Sequence, residues 1–283
     1  MRLLHDDLGL AVPVPGRVRR VVSLVPSLTE SVAATAPGLL AGATDWCSHP
    51  ADLQVTRVRG TKNPDVDAIV ALRPDLVVAN EEENRVPDLD ALRAAGVPVW
   101  VTVVRTLDDA FASLRRLLVT ALGLPEPAWL SAAERAWNTG TGTRLGPDGG
   151  TGVAGSTGAA GGVRRAVIPV WRKPWMVVGR DTFAGDLLMR LGVRNIYAGH
   201  AERYPRIPLP ELLDARPDLV VLPDEPYRFT PGDGPGFFPG VPAALVSGRH
   251  LTWYGPSLAE APRVVADALA AARPAPPPDE QPR

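Results

Sequence analysis

Short, continuous apolar runs rich in valine recur along the chain: Val21-Val22, Leu76-Val77-Val78, Ala166-Val167 and Leu219-Val220-Val221. Each is bounded by Pro, Asp or Gly, the form expected of a strand buried on both faces of a parallel sheet. Stretches with apolar residues at helical spacing separate them. Ser27-Leu28-Thr29-Glu30 has the spacing of a capping box, which predicts a helix starting there with the Ser27 hydroxyl as its cap. Residues 66–72 and 209–215 read as helices that stop before Arg-Pro-Asp, because proline disfavours helix at the residue before it. Asp181 or Thr182 is expected to cap the helix that follows, and the alanine-rich stretch 126–137 predicts a further helix.

The pattern repeats. Arg19-Arg20-Val21-Val22 returns as Arg164-Arg165-Ala166-Val167, and Arg73-Pro74-Asp75-Leu76-Val77-Val78 returns as Arg216-Pro217-Asp218-Leu219-Val220-Val221. Alternating strands and helices in each half predict an α/β fold of two doubly wound parallel-sheet lobes with a cleft between them. The expected organisation is an N-terminal lobe at 1–124 and a connecting helix with a Gly-rich insert at 125–162. A C-terminal lobe at 163–272 and a disordered Pro-rich tail at 273–283 complete it. The insert, 138–162, is read as flexible, since Gly, Thr and Ser bury too little apolar surface to offset the entropy of ordering.

Composition narrows the function classes. The 283 residues carry 30 Lys plus Arg against 31 Asp plus Glu, a net charge of -1, so no general attraction to nucleic acid is expected. One cysteine, Cys47, excludes an intramolecular disulfide and CxxC-type zinc or redox sites. Acids at Asp6 and Asp7 stand where a signal peptide needs its apolar core, and no run of about 18 apolar residues follows. The expectation is a soluble cytoplasmic monomer with no membrane insertion.

In open parallel sheets ligands bind outside the carboxyl ends of the strands, so the loops there are the place to seek function. Trp46, Trp171, Trp175 and Trp253 fall in those loops, which points to a stacking site for a bulky, partly apolar ligand. Arg172 stands between two of these rings. Glu82 and Arg85 are candidates for a polar ligand edge, in a run whose acids also suit a helix start. Cys47 and His49, two residues apart, could contribute a thiolate and an imidazole to a metal, although a structural site needs about four ligands. There is no GxSxG, GxxxxGK[ST] or HExxH pattern, so no catalytic residue is named.

The run 21–30, Gly60-Thr61-Lys62-Asn63-Pro64 and the run 70–77 together resemble the cobalamin and ferric-siderophore (Fe/B12) substrate-binding proteins of ABC importers. So do Glu82-Glu83-Asn84-Arg85, Trp171-Arg172-Lys173-Pro174-Trp175-Met176, Asp181-Thr182-Phe183, Arg203-Tyr204-Pro205, Glu225-Pro226-Tyr227 and Trp253-Tyr254-Gly255. The resemblance covers about 6–271 and is closest to leader-less, helical-backbone metal receptors of that class. It implies two α/β lobes joined by a backbone helix, in the class III periplasmic-binding-protein manner, with a ligand clamped between them. It also implies cleft aromatics at Trp46, Trp175 and Trp253, with Tyr227 and Tyr254 beside them.

The resulting expectation is a non-catalytic binder of cobalamin or another metal chelate, requiring no cofactor of its own. The family docks its ABC permease through a glutamate on each lobe; Asp67, and Glu211 beside Pro210, stand there instead, which weakens that partnership. Two other readings stay open: an enzyme or metal-handling protein using Cys47 and His49, and an interaction protein with a vestigial cleft.

Overall fold

The valine-rich runs pair side by side in two separate sheets. The computed structural model describes residues 1–140 and 162–274. The Gly-rich insert expected at 138–162 lies almost wholly outside the described residues, as do residues 275–283 of the expected tail.

The chain divides into two units. The first comprises Met1–Val104, Asp108–Ala132 and Tyr254–Pro256; the second comprises the described parts of Arg105–Leu107, Ala133–Trp253 and Ser257–Arg283. The helix Ala128–Gly140 passes from one to the other. In the first unit five parallel strands lie in the spatial order Thr56–Arg57, Leu40–Ala43, Val21–Ser23, Leu76–Asn80 and Val99–Thr102. In the second, Val193–Asn195, Arg164–Val167, Leu219–Pro223 and Pro242–Val246 follow in parallel, in the same order as the last four of the first. The α/β class with two mainly parallel sheets stands as expected.

Every residue of Leu76–Asn80 and of Leu219–Pro223 is buried, which is why these strands read as unbroken apolar runs rather than alternating ones. The first core gathers Val22, Leu24, Ile69, Val77, Leu89, Leu92, Val99 and Val101. The second gathers Val167, Val177, Ile207, Leu212, Val220, Leu222, Phe229 and Phe238. Among the described residues, no helix is long and apolar enough to cross a membrane.

Four local expectations are corrected. The first helix spans Pro26–Thr35, but Ser27 does not cap it: Pro26 occupies its first turn, where a missing N–H costs nothing, and Ser27 is buried. Thr182 stands at the N-cap of Phe183–Arg190 without capping it, because its hydroxyl turns back to donate to Gly179 O at 3.5 Å. The segment around Lys173 is no open loop but the turn of an antiparallel hairpin, Pro169–Arg172 with Trp175–Val177. Arg273 and Pro274, expected in the disordered tail, pair antiparallel with Pro242 and Ala243.

The acids near the N-terminus have a structural use. Asp6 is buried at the turn of the hairpin Arg2–His5 with Ala11–Val14, where Oδ1 accepts the N–H groups of Leu8 and Leu10. Asp7 receives Arg116 Nη1 at 2.6 Å and Val103 N–H at 3.1 Å.

Candidate functional site

In the second unit, the hairpin carrying Trp171 and Trp175 meets a run of rings from the chain after the strand Leu219–Pro223. Trp175, half-buried, stacks on Phe229 with centroids 6.2 Å apart and planes 12° apart. It meets Phe237 and Phe238 edge-on at 5.5 and 5.6 Å. Trp171 is 42% exposed and meets Tyr227 edge-on at 5.5 Å, with its indole N–H held by Lys173 O at 3.2 Å. The glycine at 179 lets the neighbouring chain come close behind this hairpin, since a Cβ there would meet Glu202 O at 2.2 Å.

Arg172 is seated among these rings. Its guanidinium lies 5.0 Å from the centre of Phe237 and 5.7 Å from that of Tyr227. Arg172 Nε donates to Tyr227 Oη at 3.0 Å and lies 2.9 Å from Asp233 Oδ1, while Tyr227 donates to Asp233 Oδ2 at 2.5 Å. The Tyr227 hydroxyl, with Asp233 behind it, holds the guanidinium above even its usual high range. The result is an apolar aromatic surface with one closed, charge-balanced polar knot.

In the first unit, Trp46 is 67% exposed on the loop after Leu40–Ala43. Gly60 makes room for it: a Cβ there would lie 3.2 Å from Trp46 Nε1 and 2.5 Å from Asn63 Oδ1. Arg57 ties the loop, donating from Nη1 to Thr44 O and Cys47 O, both at 2.9 Å. Sequence reading missed Arg57, whose role as a strap depends on carbonyls 10 and 13 residues away.

Cys47 and His49 go different ways. The thiol is fully buried, with Sγ 3.0 Å from Thr29 Oγ1 and 3.2 Å from Thr44 Oγ1, and burial pushes its pKa up. His49 Nδ1 lies 3.1 Å from Ser48 Oγ. Among the described residues, no three His, Cys, Asp or Glu side chains gather as a metal site would need.

The acids at 81–83 form a turn instead of a helix start; the helix begins at Val86, with Arg85 at its N-cap. Asn80 Oδ1 accepts the N–H of Glu82 at 2.9 Å and of Glu83 at 3.2 Å, and Lys62 Nζ donates to Glu82 O at 2.5 Å. Arg85 is exposed and paired with Asp88 through two contacts, at 2.9 and 3.2 Å. Asn84, noted in the sequence only as part of the run 82–85, is buried at the centre of this turn; it donates to Leu24 O and Thr61 O and accepts from Asn80 N. An asparagine in a polar loop gives no sign in sequence that it is buried.

Trp253 and Tyr254 correct the idea that strand-end loops leave aromatic rings open. Each is only 7% exposed. Tyr254 belongs to the first unit although it follows Trp253 of the second, and Gly255 lies beside it close to Ser27 and Ser31. Burial, reinforced by the Glu83 carboxylate, pushes the Tyr254 phenol well above its ordinary range. Of the rings nominated from the sequence, Trp46 in one unit and Trp171 in the other are exposed, and Trp175 and Tyr227 are half-buried.

No protein-family model matches the chain. A vitamin B12-binding protein from Pectobacterium carotovorum subsp. carotovorum (strain PC1) is 26% identical over 212 residues, 74% of this chain and 73% of its own length. Among solved structures, the periplasmic vitamin B12-binding protein BtuF of Vibrio cholerae superposes with a TM-score of 0.68 at 16% identity, covering 91% of this chain and 98% of that one. The periplasmic heme-binding protein RhuT from Roseiflexus sp. RS-1 does so at 0.69 and 19% identity, covering 89% and 99%.

These neighbours correct the expectation of a cytoplasmic protein, because both solved structures are of periplasmic proteins. The acids that suggested otherwise, Asp6 and Asp7, belong to the folded hairpin and its contacts, so they carry no information about a leader. The repeated α/β units, the motif residues and these relatives agree: the chain is similar in sequence to vitamin B12-binding proteins of the Fe/B12 substrate-binding class and shares the fold of periplasmic binding proteins.

Proposed function

We propose that this protein is a non-catalytic receptor for a macrocyclic metal chelate, a corrinoid first of all, which it holds against its exposed indoles. The observation that carries this reading is the aromatic layer of the second unit. Trp171 is exposed at its edge, and Trp175 is braced behind by Phe229, Phe237 and Phe238. Rigid rings with few rotors offer a flat ligand a large contact area at low entropic cost. Resemblance to a vitamin B12-binding protein over 74% of the chain supports the same ligand class.

Binding without turnover fits the chemistry of the side chains. The one thiol is buried and held in its neutral form, which makes it a poor nucleophile. In this reading the protein needs no resident cofactor and works as a monomer. Partnership with an ABC permease stays weakened in this reading: Asp67 and Glu211, in the first turns of the repeat-related helices Val66–Ala71 and Leu209–Asp214, stand in for the docking glutamates that the resemblance implies.

The test is calorimetric titration with aquocobalamin and cobinamide, with visible spectra taken on the same samples. Saturation near one ligand per chain is expected. No heat and no spectral change with either corrinoid would refute the reading.

A further inference from the structure

Within the aromatic layer, one cation, Arg172, has its charge balanced by a neighbouring carboxylate. Arg172 Nε is engaged by Tyr227 Oη at 3.0 Å and by Asp233 Oδ1 at 2.9 Å. Tyr227, in turn, spends its proton on Asp233 Oδ2 at 2.5 Å. The side chains of Arg172 and Asp233 are 17% and 32% exposed, so the pair sits at the surface of the layer rather than deep inside it. Nearby Lys173 and Arg228 are exposed and lie outside this knot, where water screens them.

Metal macrocycles differ in their rims. Corrinoids carry uncharged amide side chains, whereas heme carries two carboxylates that are ionised at neutral pH. An unpaired arginine among rings would bind such a carboxylate strongly through its planar fork of donors. A paired one has its charge compensated, and a carboxylate approaching it also faces the negative charge of Asp233. Repulsive elements of this kind create specificity as effectively as attractive ones.

We propose that Asp233 is a specificity-determining residue: by neutralising Arg172 it makes the aromatic face select chelates with an uncharged rim and reject those bearing free carboxylates. This rests on the reading that the second unit's aromatic layer binds a chelate. Asp233 itself need not touch the ligand. It acts by setting the charge that Arg172 presents, and Tyr227 passes on part of that effect through its shared hydroxyl.

The experiment measures dissociation constants for dicyanocobinamide and for hemin with four forms of the full chain. These are the unaltered protein, Asp233→Asn, Arg172→Gln and the double variant. The unaltered protein is expected to bind the corrinoid and to bind hemin at least about tenfold more weakly. Asp233→Asn should gain about tenfold or more for hemin, the size of a charge-assisted hydrogen bond, and the double variant should lose that gain. A merely structural role for Asp233 would weaken both ligands and could not produce a gain for one.

Two results overturn the proposal while leaving the chelate-binding reading intact: equal affinity of the unaltered protein for both ligands, or a folded Asp233→Asn that gains nothing for hemin. Should that variant not fold, the double variant decides, because it removes both charges together. Its hemin affinity is expected to match that of the unaltered protein, whose pair is already neutral, and a loss of about tenfold would show that Arg172 attracts carboxylates despite Asp233 and overturn the inference. Absence of binding by either ligand to any form overturns both this inference and the reading beneath it.

Discussion

Asp75 and Arg20 are joined in both directions: Asp75 Oδ2 accepts the Arg20 N–H at 3.0 Å, and the Asp75 N–H donates to Arg20 O at 2.8 Å. In the second unit Asp218 and Arg165 repeat this at 2.8 and 2.8 Å. The arginines complete the knot, Arg20 Nε reaching Leu72 O and Arg165 Nη2 reaching Ala215 O, the carbonyls that end the preceding helices. Arg73 and Arg216 both turn the chain with φ of 46°, a left-handed conformation that a side chain adopts only when its surroundings enforce it. The repeated Arg-Pro-Asp is thus a device that ends a helix and registers the next strand.

Replacing Asp75 or Asp218 with Ala should cost about 1–2 kcal/mol each, because two main-chain N–H groups lose a charged acceptor or its register in the first unit and one does in the second. Urea unfolding of each variant reads this directly. Losses below about 0.5 kcal/mol would show that the sheet holds its register without the aspartates.

Trp171 and Trp175 should separate binding from stability. Trp175→Ala removes a ring packed on Phe229, Phe237 and Phe238 and should lower stability by about 2–3 kcal/mol as well as weaken ligand binding. Trp171→Ala, at an exposed position, should change stability by less than about 1 kcal/mol while weakening corrinoid binding about tenfold. Unfolding midpoints and titrations on the same two variants decide the matter.

Glu83 gives a pH dependence with a definite sign. Burial pushes its carboxyl up, opposed by Lys62 and reinforced by Glu82, so the folded state binds this proton more tightly than the unfolded chain does. The ionised form therefore costs stability above the folded-state pKa, and that cost vanishes once pH falls below the carboxylate range of the unfolded chain. Glu83→Gln should raise the unfolding midpoint at about pH 7 and leave it unchanged at about pH 3, in paired melts with the unaltered protein. A midpoint that falls at neutral pH would reverse the sign.

Cys47 should resist thiol reagents in the native protein and react fully, one group per chain, only when denaturant opens the first unit. Its thiol is buried against Thr29 and Thr44 and its ionisation is raised by burial. Fast reaction under native conditions would show that the loop carrying Trp46 opens readily.

Much of the architecture was legible before any coordinates. Buried strands such as Leu76–Asn80 and Leu219–Pro223 announce themselves because both faces must be apolar, and the prolines after 66–72 and 209–215 mark helix ends on steric grounds. The candidate site was less so. Trp46, Trp171, Trp175, Trp253 and Tyr254 look alike in sequence, but exposure separates them, since the depth of a ring depends on what packs over it. Asp233 drew no notice, standing 61 residues from the arginine that it neutralises.

The sequence by itself determined the two α/β halves, because hydrophobic periodicity and proline sterics act over a few residues at a time. Only the tertiary structure decided which indoles face solvent, that Cys47 points inward while His49 does not join it, and that Arg172 is charge-balanced by Asp233. Burial and electrostatic pairing are set by groups distant along the chain, and no local pattern encodes them.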